Sequence, residues 1–457
     1  KEQANNVSNL LIDKTKKGEV VALLLPNIPE MVFSYFGILG IGRIALLLSP
    51  SISDANLIFQ IEKTRPKFII SQKKYQAKVR RTKLLKQLQF VDVKDIPPAK
   101  RTVYNKNVSE HNTASIIFTS GTTAEPKGVK LQHSNVVNAT KNIIEFLKWN
   151  QHDVDVNILK LSHSFGLGNI HSVFAVGART ILFPDAINIK KVIQVIIKEK
   201  ATTFAAVPTT LRLILTNYLE DFQKCDKYLR FIQTDISLLE KNLIKTIVSA
   251  LPNTDFNYYY GLSEASRSTF ITLNKHLDKL GSVGQPSPNV KLKIIDNQGQ
   301  KLPAGQTGEI CIKGKHVIRQ YWENPKASTK IKNGWLHTND AGYLDKEGYL
   351  FFKGRVDDII NIAGEKVSPE EIEDIVRRIP GVTDSIAIGI PDKLLGEAVK
   401  VFIRVKDQSF NIKKVKEICL KKLDNYKVPR TVEIVKEIPR TENGKLRRKV
   451  FKESFSR

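Results

Sequence analysis

Phe118–Val129 reads FTSGTTAEPKGV and follows the apolar run ASIIF, Ala114–Phe118. A strand-like run here delivers the chain to a loop whose hydroxyls and backbone N–H groups can converge on one anion, with the Lys127 ammonium beside them. Such an arrangement is a phosphate cradle. It is not the Walker pattern, because Gly121 is followed four residues later by Glu125 and Pro126, where that pattern has Gly-Lys-Ser/Thr. A further carboxylate, Glu264 in YYYGLSEAS (Tyr258–Ser266), follows a glycine-containing turn.

The elements that must position these groups alternate. Short apolar runs at 20–25, 44–48, 67–70, 115–118, 178–183 and 202–207 recur between helical patterns, which predicts an α/β core with buried parallel strands. Met31–Leu48 is interrupted by Arg43 and glycines and bracketed by Pro29 and Pro50, so it reads as a buried helix to about Gly42 followed by a buried strand. From about Val290 the chain turns to short strands punctuated by glycine, a β-rich layer. The last hundred residues predict a compact α+β domain, with Ser368 as N-cap and Pro369 at the first position of a helix running to Arg378. A boundary is expected near Arg355 to Asp358.

At 457 residues the chain exceeds one hydrophobic core, and 41% apolar residues suit a globular protein. A net charge of +26 and a pI near 9.7 admit nucleic acid, an anionic membrane or an anionic substrate. No RNP, zinc-finger or nucleotidyl-transferring lysine motif accompanies the charge, so no nucleic acid is expected, and a basic nucleic-acid-binding protein is the alternative of a different class, resting on charge alone. Basic runs such as Lys73–Lys86 read as solvated faces, with peripheral contact to an anionic membrane left open. The three cysteines, Cys225, Cys311 and Cys419, have no disulfide spacing, which points to a cytoplasmic setting. The chain opens on Lys1 and its only methionine is Met31, so a truncated or processed beginning is expected.

Further motifs come in a fixed order. They are LSHSFGLG (Leu161–Gly168), GSVGQP (Gly281–Pro286), TGEICIKG (Thr307–Gly314), NGWLHTNDAGYLDKEGYLFFKGRVDDIIN (Asn333–Asn361) and PRTENGKLR (Pro439–Arg447). With the two motifs above, this series resembles the adenylate-forming superfamily of acyl-CoA synthetases, peptide-synthetase adenylation domains and beetle luciferases. The resemblance runs from about Val20 to the end. It implies a large N-terminal layered α/β domain with a β-rich subdomain, 1–356, and a small mobile α+β domain, 357–457, turning on Asp357. It also implies the reaction: a carboxylate attacks the α-phosphate of ATP to give acyl-AMP and pyrophosphate, then CoA takes the acyl group, with Mg²⁺ required. An acyl-carrier protein is the alternative acceptor.

Carried over residue by residue, the resemblance makes Thr119, Ser120, Gly121, Thr122, Thr123 and Lys127 the phosphate loop. Tyr260 and Ser263 become nucleotide contacts, Glu264 the Mg²⁺ ligand, and Asp340 with Arg355 the ribose contacts. Lys445 becomes the adenylation lysine, and Gly364 a turn beside the pantetheine tunnel. His163 joins the catalytic set; it and Phe165 offer no carboxylate for an α-ammonium, which argues against an amino acid. Gly261 stands where acetate-selecting relatives carry Trp. Each buried CH₂ is worth about 0.8 kcal/mol, so a medium- or long-chain fatty acid is expected, with an aryl or branched acid behind it. Ala124 and Asn339 replace common glycines, and QTDISLL (Gln233–Leu239) puts Asp235 and Ile236 where relatives have Gly-Gly-Ala against adenine.

Overall fold

Four of the apolar runs become strands of one sheet. In this computed structural model the first sheet comprises β1 (Val20–Leu24), β2 (Ile44–Leu48), β3 (Phe68–Ser71), β4 (Gln89–Asp92), β5 (Thr113–Thr119) and β6 (Lys127–Gln132). The structure describes all residues except 87, 120–125, 185–187, 236–240, 363–364, 393–394, 408, 441–445 and 454–457, and the side chains of residues 85, 241, 366, 449 and 453. The strand order is β4–β3–β1–β2–β5–β6, parallel throughout except that β6 returns antiparallel beside β5.

Burial on both faces explains why β1 and β2 show unbroken apolar runs. Val21 and Leu23 face a cluster containing Val7, Leu11, Tyr35 and Ile38 from the helices Glu2–Ile12 and Pro29–Gly40, while Ala22 and Leu24 face Leu57 and Ile61 from the helix Asp54–Thr64. The expected helix and strand within Met31–Leu48 are thus Pro29–Gly40 and β2. Arg43 between them is buried in a ring of oxygens from Ile12, Thr15 and Ile41. Among the described residues no helix is long and apolar enough to cross a membrane.

The second sheet comprises β7 (Val154–Asn157), β8 (Arg179–Leu182), β9 (Thr203–Ala205), β10 (Phe231–Thr234), β11 (Asp255–Leu262), β12 (Ala265–Thr272) and β13 (Gln285–Pro286), in the order β13–β12–β11–β10–β9–β7–β8. From β8 to β11 the pairing is parallel, and β12 and β13 are antiparallel additions.

The chain divides into two compact units, 1–291 with 312–336, and 292–311 with 337–457. The first holds both sheets above. The second joins strands of the β-rich segment, β14 (Lys291–Ile295), β15 (Gly308–Lys313), then, after β16 (Ile331–Lys332), β17 (Trp335–Leu344) and β18 (Leu350–Arg355), to the C-terminal α+β segment. In that segment β19 (Ile360–Ile362), β20 (Glu365–Val367), β21 (Val382–Asp392), β22 (Gly396–Val405) and β23 (Thr431–Ile434) form a sheet whose core includes Ile360, Val367, Val399 and Val401, packed with Ile372, Val376 and Val415 from its helices. Ser368 is the N-cap residue of the helix Pro369–Arg377, as the sequence predicts. Its hydroxyl, however, donates to Glu370 Oε2 at 3.0 Å and does not cap the backbone.

Candidate functional site

The hydroxyl-rich loop is framed by a hairpin. β5 ends at Thr119 and β6 begins at Lys127, and these two residues pair across the ladder. The Thr119 hydroxyl approaches the Lys127 carbonyl at 3.5 Å. Both residues are half-buried, so the Lys127 backbone is fixed at a strand start and only its side chain is left to move. Ser120, Gly121, Thr122 and Thr123 lie outside the described residues, as do Gly364, Ile236 and Lys445.

A second hairpin presents the carboxylate. Leu262 of β11 stands opposite Ala265 of β12, which makes Ser263 and Glu264 a two-residue turn, both half-buried. Tyr321 Oη donates to Glu264 Oε1 at 2.8 Å, and the Glu264 carbonyl accepts the Ile318 N–H at 3.0 Å. Tyr321 also bridges Val129 of β6, and the Trp322 N–H donates to the Gly128 carbonyl at 2.8 Å. The segment Ile318–Trp322 therefore ties the strand that begins at Lys127 to the turn that carries Glu264. The sequence reading missed Tyr321; an aromatic pair after a strand-like run carries no signal of a contact 57 residues back.

His163 is half-buried at the N-cap of the helix Ser164–Val176, and its side chain does not cap that helix. The next residue reaches the turn, since the Ser164 and Ser263 hydroxyls are 3.4 Å apart. Tyr260 is fully buried on β11, just before an irregularity in the ladder. Gly261 sits at that irregularity. A Cβ there would stand 2.3 Å from the Arg267 backbone nitrogen, so close backbone approach demands glycine at this position whatever fills the acyl pocket.

The second unit brings another pair together. Asp340 of β17 faces Arg355 of β18 in register, and Arg355 Nη1 donates to Asp340 Oδ1 at 2.7 Å. Asp340 is buried and Arg355 half-buried. Asn339 has φ of 60°, which accounts for the usual glycine there; asparagine is among the residues that tolerate the left-handed region. Its Nδ2 donates to Asp357 Oδ2 at 2.6 Å, and its backbone N–H donates to Glu309 Oε1 at 2.8 Å. Glu309, Cys311 and His337 cluster with their polar atoms within 4.8 Å of one another. Hydrogen bonds account for the cluster: His337 Nδ1 lies 3.1 Å from Glu309 Oε2, and the Glu309 carboxylate steadies the strand that bears Asp340.

A family model for AMP-binding enzymes matches residues 1–322, and one for the AMP-binding enzyme C-terminal domain matches residues 371–445. The chain belongs to the AMP-binding enzyme family. It is 29% identical to a long-chain-fatty-acid–CoA ligase of Escherichia coli, over 96% of this chain and 86% of that one. It is 28% identical to a 2-succinylbenzoate–CoA ligase of Enterococcus faecalis, over 94% and 87%. An o-succinylbenzoate CoA synthetase of Bacillus subtilis in complex with ATP and magnesium ion superposes with a TM-score of 0.88 at 26% identity, over 98% of this chain and 92% of that one.

This AMP-binding enzyme accordingly has the expected mixed α/β fold, with a large N-terminal and a small C-terminal domain. The expected activity class, an AMP-forming acyl-CoA ligase, holds as well. ATP, Mg²⁺ and CoA are the co-reactants of that class, in keeping with the sequence reading. The acids named for the relatives differ, from long-chain fatty acid to 2-succinylbenzoate, so family membership leaves the acid open.

Proposed function

We propose that this enzyme joins an organic acid to CoA in two half-reactions, and that the Glu264 turn is the centre of the first. The observation that carries the reading is the tie from Glu264 through Tyr321 to β6, which sets a carboxylate and the Thr119–Lys127 loop mouth on one rigid frame. Chemistry on ATP needs its donors fixed before charge develops. An oxygen of the acid attacks the α-phosphorus, the bond to the pyrophosphate oxygen breaks, and acyl-AMP forms. The CoA thiolate then attacks the acyl carbonyl and AMP leaves.

In this reading Thr119, Ser120, Gly121, Thr122, Thr123 and Lys127 hold the departing phosphates. Ser263 orients the nucleotide beside them, with Tyr260 supporting the turn from the core. Magnesium fits Glu264, because its carboxylate is presented from a two-residue turn with one oxygen oriented by the Tyr321 hydroxyl. When bound, the ion offsets phosphate charge. Asp340 accepts the ribose hydroxyls, held in place by the Arg355 guanidinium. Lys445 steadies the α-phosphate, and Gly364 leaves room for the pantetheine arm. His163, at a helix start next to the Ser164–Ser263 contact, lines the acid's path.

A medium- or long-chain fatty acid remains a candidate, but its sequence support rested on Gly261, and the backbone of Arg267 already explains that glycine. The deciding experiment is acid-dependent ATP–pyrophosphate exchange across a carboxylic-acid panel, followed by AMP release on addition of CoA or of an acyl-carrier protein. Exchange with at least one acid and CoA-dependent AMP release support the reading. Exchange whose second step ignores CoA and answers only to a carrier protein replaces the acceptor, and no exchange with any acid overturns the ligase.

A further inference from the structure

Near its end the chain passes from Arg440 to Leu446 and then into a short helix, Arg448–Glu453, and both sides of that crossing are fastened to one strand. Arg440 and Leu446 face each other in an antiparallel bridge, and the Arg447 N–H donates to the Pro439 carbonyl at 3.0 Å. Arg440 Nη2 donates to both oxygens of Asp384 on β21, at 2.8 and 2.7 Å. Leu446 and Phe451 pack with Ile386 and Ile388 of the same strand.

Arg448 is the deeper fastening. It is only 7% exposed, and its Nη2 donates to both oxygens of Glu373, at 2.8 and 2.7 Å. Glu373, on the helix Pro369–Arg377, is fully buried and independently held. Its Oε1 accepts the Ala387 N–H of β21 at 2.7 Å, and its carbonyl accepts the Ser385 hydroxyl at 3.1 Å. Arg377 Nη1 stands 3.6 Å from its Oε2. Around the same guanidinium, Glu370 Oε1 lies 3.6 Å from Nη2 and Asp358 Oδ2 lies 4.0 Å from Nη1. Four residues further on, Lys452 Nζ donates to the Asp357 carbonyl at 2.6 Å.

A buried charge cluster is a weak way to hold a helix, because the attraction gained is largely offset by the loss of water, and an apolar contact of equal volume would hold as well. What the charges add is geometry. A planar guanidinium between carboxylates that are themselves fixed has one seat, whereas an apolar side chain can slide.

We infer that Arg448 is a positioning residue for acyl-AMP formation: seated on Glu373 and Glu370, it fixes the stretch of chain from which the Lys445 ammonium is presented. This rests on the ligase reading, in which Lys445 steadies the α-phosphate. Lys445 directly precedes Leu446, and consecutive Cα atoms are about 3.8 Å apart, so the fastened residues 446–448 set where its long stem starts. The stem itself is flexible, which leaves its root as the part that the fold can place. Misplacing a catalytic group by about 1 Å costs roughly 10²-fold in rate. Arg448 touches no reacting atom and moves no proton.

The test uses the full chain and the acid that gives the fastest ATP–pyrophosphate exchange. Acyl-AMP formation and the transfer of preformed acyl-AMP to CoA are timed separately in single turnovers. Arg448→Met is expected to slow acyl-AMP formation by about 10²-fold, with the KM for ATP and the transfer to CoA near wild type, and Arg448→Lys recovers part of the loss. In a Lys445→Ala background the same substitution removes nothing further, because a residue that acts through the lysine then has nothing to act on. A merely structural role slows both half-reactions together and adds its full loss to that of Lys445→Ala; either pattern overturns the inference. Should Arg448→Met fail to fold, as judged by its melting curve, Arg448→Lys takes its place in both backgrounds: a loss confined to acyl-AMP formation and absent from Lys445→Ala upholds the inference, and an equal loss in both half-reactions, or none, overturns it. If the wild type shows no exchange with any acid, the ligase reading fails and this one with it. Wild-type exchange without a split between the half-reactions in the variants removes this inference alone.

Discussion

At the scale of single residues, the proposed chemistry depends on groups whose geometry is set by one neighbour each. Glu264 is aimed by Tyr321, so Tyr321→Phe is expected to raise the Mg²⁺ concentration needed for half-maximal exchange by about 10-fold, the usual cost of losing an outer partner of a metal ligand. Glu264→Gln raises it further, and a magnesium titration of both variants checks the order. Lys445→Ala is expected to slow acyl-AMP formation by about 10²–10³, the effect of removing one preorganised donor to developing charge, while the transfer of preformed acyl-AMP to CoA persists. Single-turnover assays of the two half-reactions separate them. Lys445, Glu264 and the phosphate loop could be nominated from the sequence because their motifs are contiguous. Tyr321 and Arg267 were not, because each acts on residues 57 and 98 positions away and nothing local marks them.

Elements decide which residue types these positions accept. Asn339 adopts φ of 60° next to Asp340, so Asn339→Ala costs about 1 kcal/mol from the left-handed backbone, beyond the lost bond to Asp357, whereas Asn339→Gly avoids the backbone strain. Urea denaturation of the two variants measures the difference. Gly261→Ala drives a methyl to 2.3 Å from the Arg267 nitrogen, with an expected loss of about 1–3 kcal/mol as the β11–β12 hairpin yields. The same curves read it, and a neutral result would return Gly261 to its first interpretation, space for an acyl tail. The long apolar runs of β1, β2 and β5 declared themselves because burial on both faces leaves no polar alternation to confuse the reading. β6 and β12 did not, for their antiparallel return depends on hairpins whose sequences read as loop and site.

At the scale of the whole molecule, among the described residues each compact unit holds a carboxyl whose pKa is lifted by desolvation to about 7. These are Asp155 in the first unit and Glu370 in the second, where Arg448 opposes the effect. Each folded pKa lies above the unfolded value of 3.8 or 4.5, so the folded state binds the proton more tightly and stability declines as pH rises from there to about 7. Asp155→Asn and Glu370→Gln are expected to flatten that decline, each in its own unit, as read by melting temperature across that range. The sequence by itself determined the α/β class and the family and nominated the candidate nucleotide-handling motifs, because strand burial and phosphate chemistry both write themselves into short contiguous stretches. Only the tertiary structure decided that Tyr321 aims Glu264, that Gly261 yields to a backbone, and that the Arg267 guanidinium stands buried against Asn169 and the Phe165 carbonyl. Those are properties of distances between segments far apart in the chain, and the chain's order does not encode a distance until it is folded.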